Sequence, residues 1–338
     1  MHSLLGFVLV FIAAISGGVL AVPLKKRRQF ELENIYVPST LVMMLVLPFI
    51  MAAFVAPNWP EAVHLAGART VWAGVAYGFG WGIGAILFGY GVTLAGMSVG
   101  FATIMGINTA VGSILPFLVK SRADLLTSGG IVILLGIAGC IAGVVVCGRG
   151  GFLRERQASV AGQRGTFGKA LMVCVASGVL SACANLGFAF TSRVGEEAQK
   201  LGAHPVFSTL ASWLPVFWGA TASLLLWFIG LQLRRGTWRN NLGPNAVYDW
   251  LNGLGMGVIW FVATIPYGMG AYYLGRLGTS VGWAVYMAFT LLVANVFGFL
   301  TGEWTGAPRR ALKTLYAGLA VLIAAIVVLG IGNSMSGH

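Results

Sequence analysis

The sequence predicts an all-α integral membrane protein whose ten spanning helices form two inverted five-helix repeats. Three observations carry that expectation. The 338 residues are 58% hydrophobic and 9% charged, with a mean hydropathy of +0.86, more apolar surface than a water-soluble fold of this length buries. Apolar runs near the length of about 20 residues that a bilayer demands recur at 2–22, 34–56, 70–94, 98–119, 128–147, 168–192, 206–233, 247–274, 279–302 and 311–332. Finally, Ser98-Val-Gly-Phe-Ala-Thr-Ile-Met105 is echoed by Ser280-Val-Gly-Trp-Ala-Val-Tyr-Met287, identical at five of eight positions at an offset of 182. The same offset aligns Gly136–Gly148 with Gly318–Gly330, identical at seven of thirteen. A repeat that begins again after five spans, an odd number, must cross the bilayer in the opposite sense, and inverted halves around a midplane site are a common design of secondary transporters.

The elements follow in order. The first span has no basic segment ahead of its apolar run, and its charges, Lys25 to Arg28, come after it. It is therefore expected to be a retained helix rather than a cleaved signal. Pro48, Pro116, Pro215 and Pro266 lie inside spans and predict kinks, because each removes a backbone donor. The third span places Gly78, Gly80, Gly82 and Gly84 on alternate positions. In a membrane such a run lets neighbouring helices approach closely, or it bends to gate a cavity. Only Ala95-Gly-Met97 separates the third and fourth spans, which predicts a tight hairpin. Cys140, Cys147, Cys174 and Cys183 fall in the fifth and sixth spans without metal-ligand spacing and read as small packing residues. The Gly- and Arg-rich stretch 148–167 reads as a basic cytoplasmic linker joining the first repeat, 1–147, to the second, 168–338. Weaker echoes join Phe88-Gly-Tyr-Gly91 to Tyr267-Gly-Met-Gly270, and Gly18-Val-Leu20 to Gly178-Val-Leu180.

The net charge of +12 is a topology signal rather than a sign of a nucleic-acid partner. Fifteen of the 21 basic residues fall on alternate linkers, around Lys25–Arg28, Arg149–Lys169, Arg234–Arg239 and Arg309–Lys313; the other six are Arg69, Lys120, Arg122, Arg193, Lys200 and Arg276. The richer side is cytoplasmic by the positive-inside rule, which puts both termini in the periplasm. Trp59, Trp72, Trp238, Trp250 and Trp304 sit near span ends, where tryptophan anchors at the lipid–water interface.

No phosphate loop, HExxH motif or Ser/His/Asp set is present, so the chain reads as no enzyme, with no cofactor and no metal. The deep parts of all ten spans lack Asp, Glu, Lys, Arg and His. A cationic ligand would call for a buried carboxylate and an anionic one for a buried Arg or Lys. A neutral polyol needs amides and hydroxyls, with aromatic faces for its C–H surface. The spans supply Trp81, Tyr90, Asn108, Asn185, Trp260, Tyr267, Trp283, Tyr286 and Asn295 as candidate substrate-binding residues. Asn108 and Asn185 are the polar groups hardest to place idly, since an unpaired amide in hydrocarbon is costly; each either bonds a neighbouring helix or lines the cavity. Carboxylates able to carry a coupling proton lie at span edges: Glu303, Glu196 and Asp249 are the candidates, beside Glu197 and Asp124.

In order and spacing, the chain resembles the L-rhamnose–proton symporter family, a branch of the drug/metabolite transporter superfamily. The carriers of the resemblance are Pro23-Leu-Lys-Lys26; Trp81-Gly-Ile-Gly84; Gly96-Met-Ser98 with Val111-Gly112 and Pro116; Leu201-Gly202 with Pro205; Trp260, Tyr267 and Trp283; and Glu303-Trp304 with Arg309-Arg310. It implies a multi-pass carrier of the bacterial inner membrane that takes up L-rhamnose or a related 6-deoxyhexose with a proton. Its two halves would open in turn around a central site, as a monomer or a dimer in the lipid bilayer. The chain departs from that family's pattern at Ala85, Leu87 and Ala263, where the family carries amides, while Asn108 and Asn185 are additional polar groups. An exporter of drugs or metabolites, a carrier of another small neutral metabolite and a non-transporting subunit are the alternatives.

Overall fold

The structure, a computed structural model, describes residues 2–19, 26–158 and 167–336. Pro23, Lys25 and Arg164 lie outside them. The described residues form twelve helices: α1 (His2–Val19), α2 (Leu32–Val55), α3 (Trp59–Ala66), α4 (Ala68–Ala95), α5 (Met97–Lys120), α6 (Ser128–Ala158), α7 (Phe167–Phe190), α8 (Ser192–Lys200), α9 (Pro205–Arg235), α10 (Ala246–Tyr273), α11 (Gly278–Leu300) and α12 (Arg309–Met335). Among the described residues nine helices are long and apolar enough to cross a membrane, and a tenth apolar stretch, Ser3–Ser16 within α1, is shorter.

Local chemistry sets the breaks. The α4–α5 hairpin turns on the single residue Gly96, whose φ of 86° is a left-handed conformation that glycine adopts without strain. In α2, Val42–Val46 is a π-helical stretch directly before Leu47-Pro48; the wider turn absorbs the donor that Pro48 lacks. Helix α6 continues to Ala158, so the first part of the expected linker is helical.

Hydrogen bonds sort the connections onto two faces. On one, the 28–30 segment bonds Asp249 on α10, Gln29 bonds the Asn240 carbonyl, and Arg154 bonds the Glu303 carbonyl. On the other, Asp124 pairs with Arg276 at 2.7 Å, Lys120 bonds Ser192 and Asn58 bonds the Leu201 carbonyl. The first face carries the basic excess and is called the basic face below.

The helices meet along glycine seams. Gly78 and Gly82 on α4 face α9, against the Val216 carbonyl and Ser223, while Gly80 and Gly84 face α7, against Cys183 and Ser181. The alternate glycines thus serve two neighbours, which is the close-packing reading of that run. Gly136, Gly143 and Gly150 on α6 receive Leu329, Leu322 and Leu315 on α12, an antiparallel zipper with one contact every two turns. One core gathers around α1, α5, α6, α11 and α12, another around α2, α7, α9, α10 and α11. The four cysteines are free thiols and three of them are buried. Of the end tryptophans, Trp72 is 69% exposed and Trp238 44% exposed, whereas Trp304 is buried under the Arg154 guanidinium.

Candidate functional site

Between these two cores lies a cavity of about 480 Å³, walled by α2, α4, α5, α7, α9, α10 and α11. None of its lining residues is Asp, Glu, Lys, Arg or His. Its walls are aromatic. The Trp81 and Trp260 rings meet edge to face at 6.2 Å and 85°, and Tyr267 meets Trp283 the same way at 5.7 Å and 81°. Tyr286 closes the triangle at 5.4 Å from Tyr267 and 5.7 Å from Trp283. Such rings pack broadly against C–H surface and still present polar edges.

Six of the residues expected to bind substrate therefore converge: Trp81, Asn108, Trp260, Tyr267, Trp283 and Tyr286 all line this cavity. Asn108 is buried; its amide nitrogen reaches only the Met287 sulfur at 3.6 Å, and its Oδ1 has no partner in the protein. Trp213 Nε1 is also buried without an acceptor, in a ring stacked on Phe188 at 4.6 Å. Each unpaired buried group costs about 1–3 kcal/mol, and a ligand hydroxyl entering the cavity would satisfy either. Trp283 Nε1, by contrast, is occupied by the Asn108 carbonyl at 3.2 Å.

Asn185 has a different place. It is fully buried and absent from the cavity lining, and all its bonds are internal. Nδ2 donates to the carbonyls of Gly112 and Thr279, each at 2.8 Å, and Oδ1 accepts from the Tyr267 hydroxyl at 2.6 Å. The Gly112 carbonyl is free because residue 116, its normal helical partner, is Pro116, which has no N–H. Asn185 thus repairs a proline gap and knots α5, α7, α10 and α11 together. Tyr90 stands 44% exposed, edge-on to Trp227. Asn295 bonds its own helix at Leu291 and lines a smaller cavity of about 160 Å³ with Arg154, Glu303 and Trp304; Phe101 and Ala294 line both cavities.

The expected proton carriers sit apart from the main cavity. Asp249 is fully buried, and its carboxylate accepts the backbone N–H groups of Arg28 (2.9 Å), Gln29 (2.6 Å) and Phe30 (2.8 Å). A carboxylate so held by amides is an anchor for the segment that enters α2. Glu196 is exposed on α8, and Glu303 is exposed at the mouth of the smaller cavity. A further carboxylate escaped the sequence reading: Glu33, at the start of α2, is 1% exposed. The expected second span began one residue after it, among charged neighbours typical of a solvated loop. Trp213 was also not singled out. Ala85 and Ala263, two of the departures from the family pattern, are in the cavity wall; Leu87 is not.

Comparison with known proteins decides the class. The family model described as L-rhamnose-proton symport protein matches residues 2–335. The chain belongs to this family of membrane carriers. It is 28% identical over 340 residues to the L-rhamnose-proton symporter of Cronobacter sakazakii, covering 97% of both chains. It is 26% identical over 328 residues to that of Escherichia coli O1:K1, covering 95% of both. The family is one of proton-coupled sugar carriers rather than enzymes, and the bacterial relatives and apolar helices place the chain among multi-pass inner-membrane proteins.

Proposed function

We propose that this chain imports L-rhamnose, or a closely related neutral 6-deoxyhexose, together with protons by alternating access. The observation that carries the reading is the uncharged aromatic cavity in which Asn108 Oδ1 and Trp213 Nε1 await partners. A neutral sugar offers hydroxyls for both and C–H faces for Trp81 and Trp260, and nothing in the wall favours a charged ligand. Tyr267, Trp283 and Tyr286 complete the site.

The carrier is further proposed to be built of two inverted five-helix halves around this site, on the plan of the drug/metabolite transporter superfamily. The packing supports it: exchanging the halves maps the α4–α7 contact onto α10–α1, α4–α9 onto α10–α2, and α5–α7 onto α11–α1, while α6–α12 maps onto itself. With the basic face cytoplasmic, both termini are periplasmic.

The test is uptake of radiolabelled L-rhamnose into proteoliposomes with and without an inward proton gradient. Accumulation driven by the gradient is expected. Trp81→Ala and Trp260→Ala should each abolish it while leaving folded protein; undiminished uptake by both variants would sink this site. A second reading, transport of another small neutral metabolite, draws on Ala85 and Ala263 in the wall, which present no amide to a sugar. It is favoured if rhamnose is neither taken up nor raises the thermal stability of the purified carrier.

A further inference from the structure

A proton-coupled carrier must hold its proton on a titratable group whose surroundings change during the cycle, and the cavity wall itself has no charged residue. Two of the described carboxylates are nine-tenths or more buried, Asp249 and Glu33. Asp249 is tied to one segment by three main-chain amides, with the Arg28 charge of that same segment beside it. Glu33 is held differently. Its Oε1 accepts the Thr237 hydroxyl at 2.9 Å, and its Oε2 lies 3.5 Å from Arg235, whose side chain is 57% exposed. Those partners come from the end of α9 and the turn after it, not from α2. At 3.5 Å the ion pair is a contact rather than a tight bidentate clamp.

Glu33 is also one turn from the site. On α2, residues 33 and 36 share a face, and Tyr36 lines the cavity. On α9, Phe228 lines the cavity, and Gln232, one turn on, donates to the Glu33 carbonyl at 3.0 Å. The two cavity-lining rings nearest Glu33 along these helices, Tyr36 and Phe228, are stacked 4.8 Å apart and 12° from parallel. Separation of α2 from α9 would part those rings and the Glu33–Arg235 contact together.

We propose that Glu33 carries the coupling proton, with the Tyr36–Phe228 stack as the barrier between it and the sugar site. One proton taken up by the carboxylate neutralises it and frees Arg235, whose charge remains hydrated; loss of that proton restores the pair and draws the ends of α2 and α9 together. The other charged groups on the elements packed here are Glu31, which caps the start of α2, Lys26, Arg27 and Arg28 before it, with Arg28 over the Tyr248 ring, Arg234 beside Arg235, Arg239 over the Trp238 ring, and the amide-bound Asp249. The proposal rests on the proton-coupled reading above.

The experiment compares the unsubstituted carrier with Glu33→Gln in proteoliposomes, by gradient-driven rhamnose accumulation and by rhamnose exchange at equal pH on both sides. Glu33→Gln should keep exchange within about twofold while gradient-driven accumulation falls at least about tenfold and loses its dependence on external pH. Gradient-driven accumulation that survives overturns the proposal, as does loss of exchange in a folded variant, since a merely structural group would stop both. So would loss of gradient dependence in Glu303→Gln but not in Glu33→Gln. If Glu33→Gln does not fold, Glu33→Asp decides: coupled uptake with a displaced pH profile supports the assignment, and an unaltered profile overturns it. If the unsubstituted carrier takes up no rhamnose, the sugar reading fails on its own. The pH dependence of thermal unfolding without sugar then still tests Glu33, being expected to flatten in Glu33→Gln, and an unchanged dependence counts against it.

Discussion

The two ends of the cavity are flanked by opposite kinds of chemistry. Away from the basic face, the flank is neutral: Phe188, Trp213, Tyr267 and Trp283 pack ring on ring, and Asn185 bonds two main-chain carbonyls and one hydroxyl. Toward the basic face, the stack of Tyr36 and Phe228 is backed by an ion pair and amides: Glu33, Arg235, Thr237, Gln232, Asn34 and Asn241. A wall of neutral groups has no charge to gain or lose; one that includes a carboxylate and a guanidinium does. On the proposed reading, the difference teaches that sugar recognition and proton binding occupy different layers of one molecule.

Variants that break one flank without the other sharpen the contrast. The largest effect is expected at Asn185. Asn185→Ala strands the Gly112 carbonyl and the Tyr267 hydroxyl and removes a second bond from the Thr279 carbonyl, for a loss of about 3 kcal/mol in stability, to be read from thermal unfolding of the purified protein; a loss within experimental error would mean that the knot is dispensable. Asp249→Asn should cost about 2 kcal/mol, because charge-assisted bonds from three amides are weakened, yet leave gradient-driven uptake intact in the folded fraction. Loss of gradient dependence there would move the proton away from Glu33. Asn108→Ala should scarcely alter stability, since its Oδ1 has no internal partner, but should weaken sugar affinity about tenfold, or about 1.4 kcal/mol, in a binding titration. The smallest change is expected from Tyr36→Phe, which keeps the stack and should leave uptake within about twofold, whereas Tyr36→Ala should admit a sugar-independent proton leak, measured with a pH-sensitive dye.

Much of this arrangement was legible in the sequence. Hydropathy located most of the long helices to within a few residues, though α6 runs to Ala158 rather than ending at 147; Ala95-Gly-Met97 announced the hairpin, and six aromatic and amide residues chosen for their depth meet at one cavity. What escaped depends on partners in other helices. Asn108 and Asn185 look alike along the chain; only the position of Pro116 opposite Asn185 makes one a knot and leaves the other facing the cavity. Pairing each deep amide with a carbonyl released by a proline is the signal that would have separated them. Glu33 was masked by its charged neighbours, since burial at the edge of a span is decided by what α9 and the following turn lay over it.

The glycine seams carry a mechanical consequence. On α4, Gly78 abuts the Val216 carbonyl of α9, and Gly219 of α9 abuts the Val75 carbonyl in return. Gly253 of α10 sits on the Pro38 ring and the Ile35 carbonyl of α2, and Gly257 on the Ser39 carbonyl. On the α4–α9 line main chain rests on main chain, and on the α2–α10 line the Pro38 ring and Val42 join the carbonyls; such close contact resists sliding. Each seam joins a helix from the first half of the chain to one from the second. On the proposed alternating-access reading, α4 with α9 and α2 with α10 would move as crossed pairs, so the units of motion would not be the units of sequence.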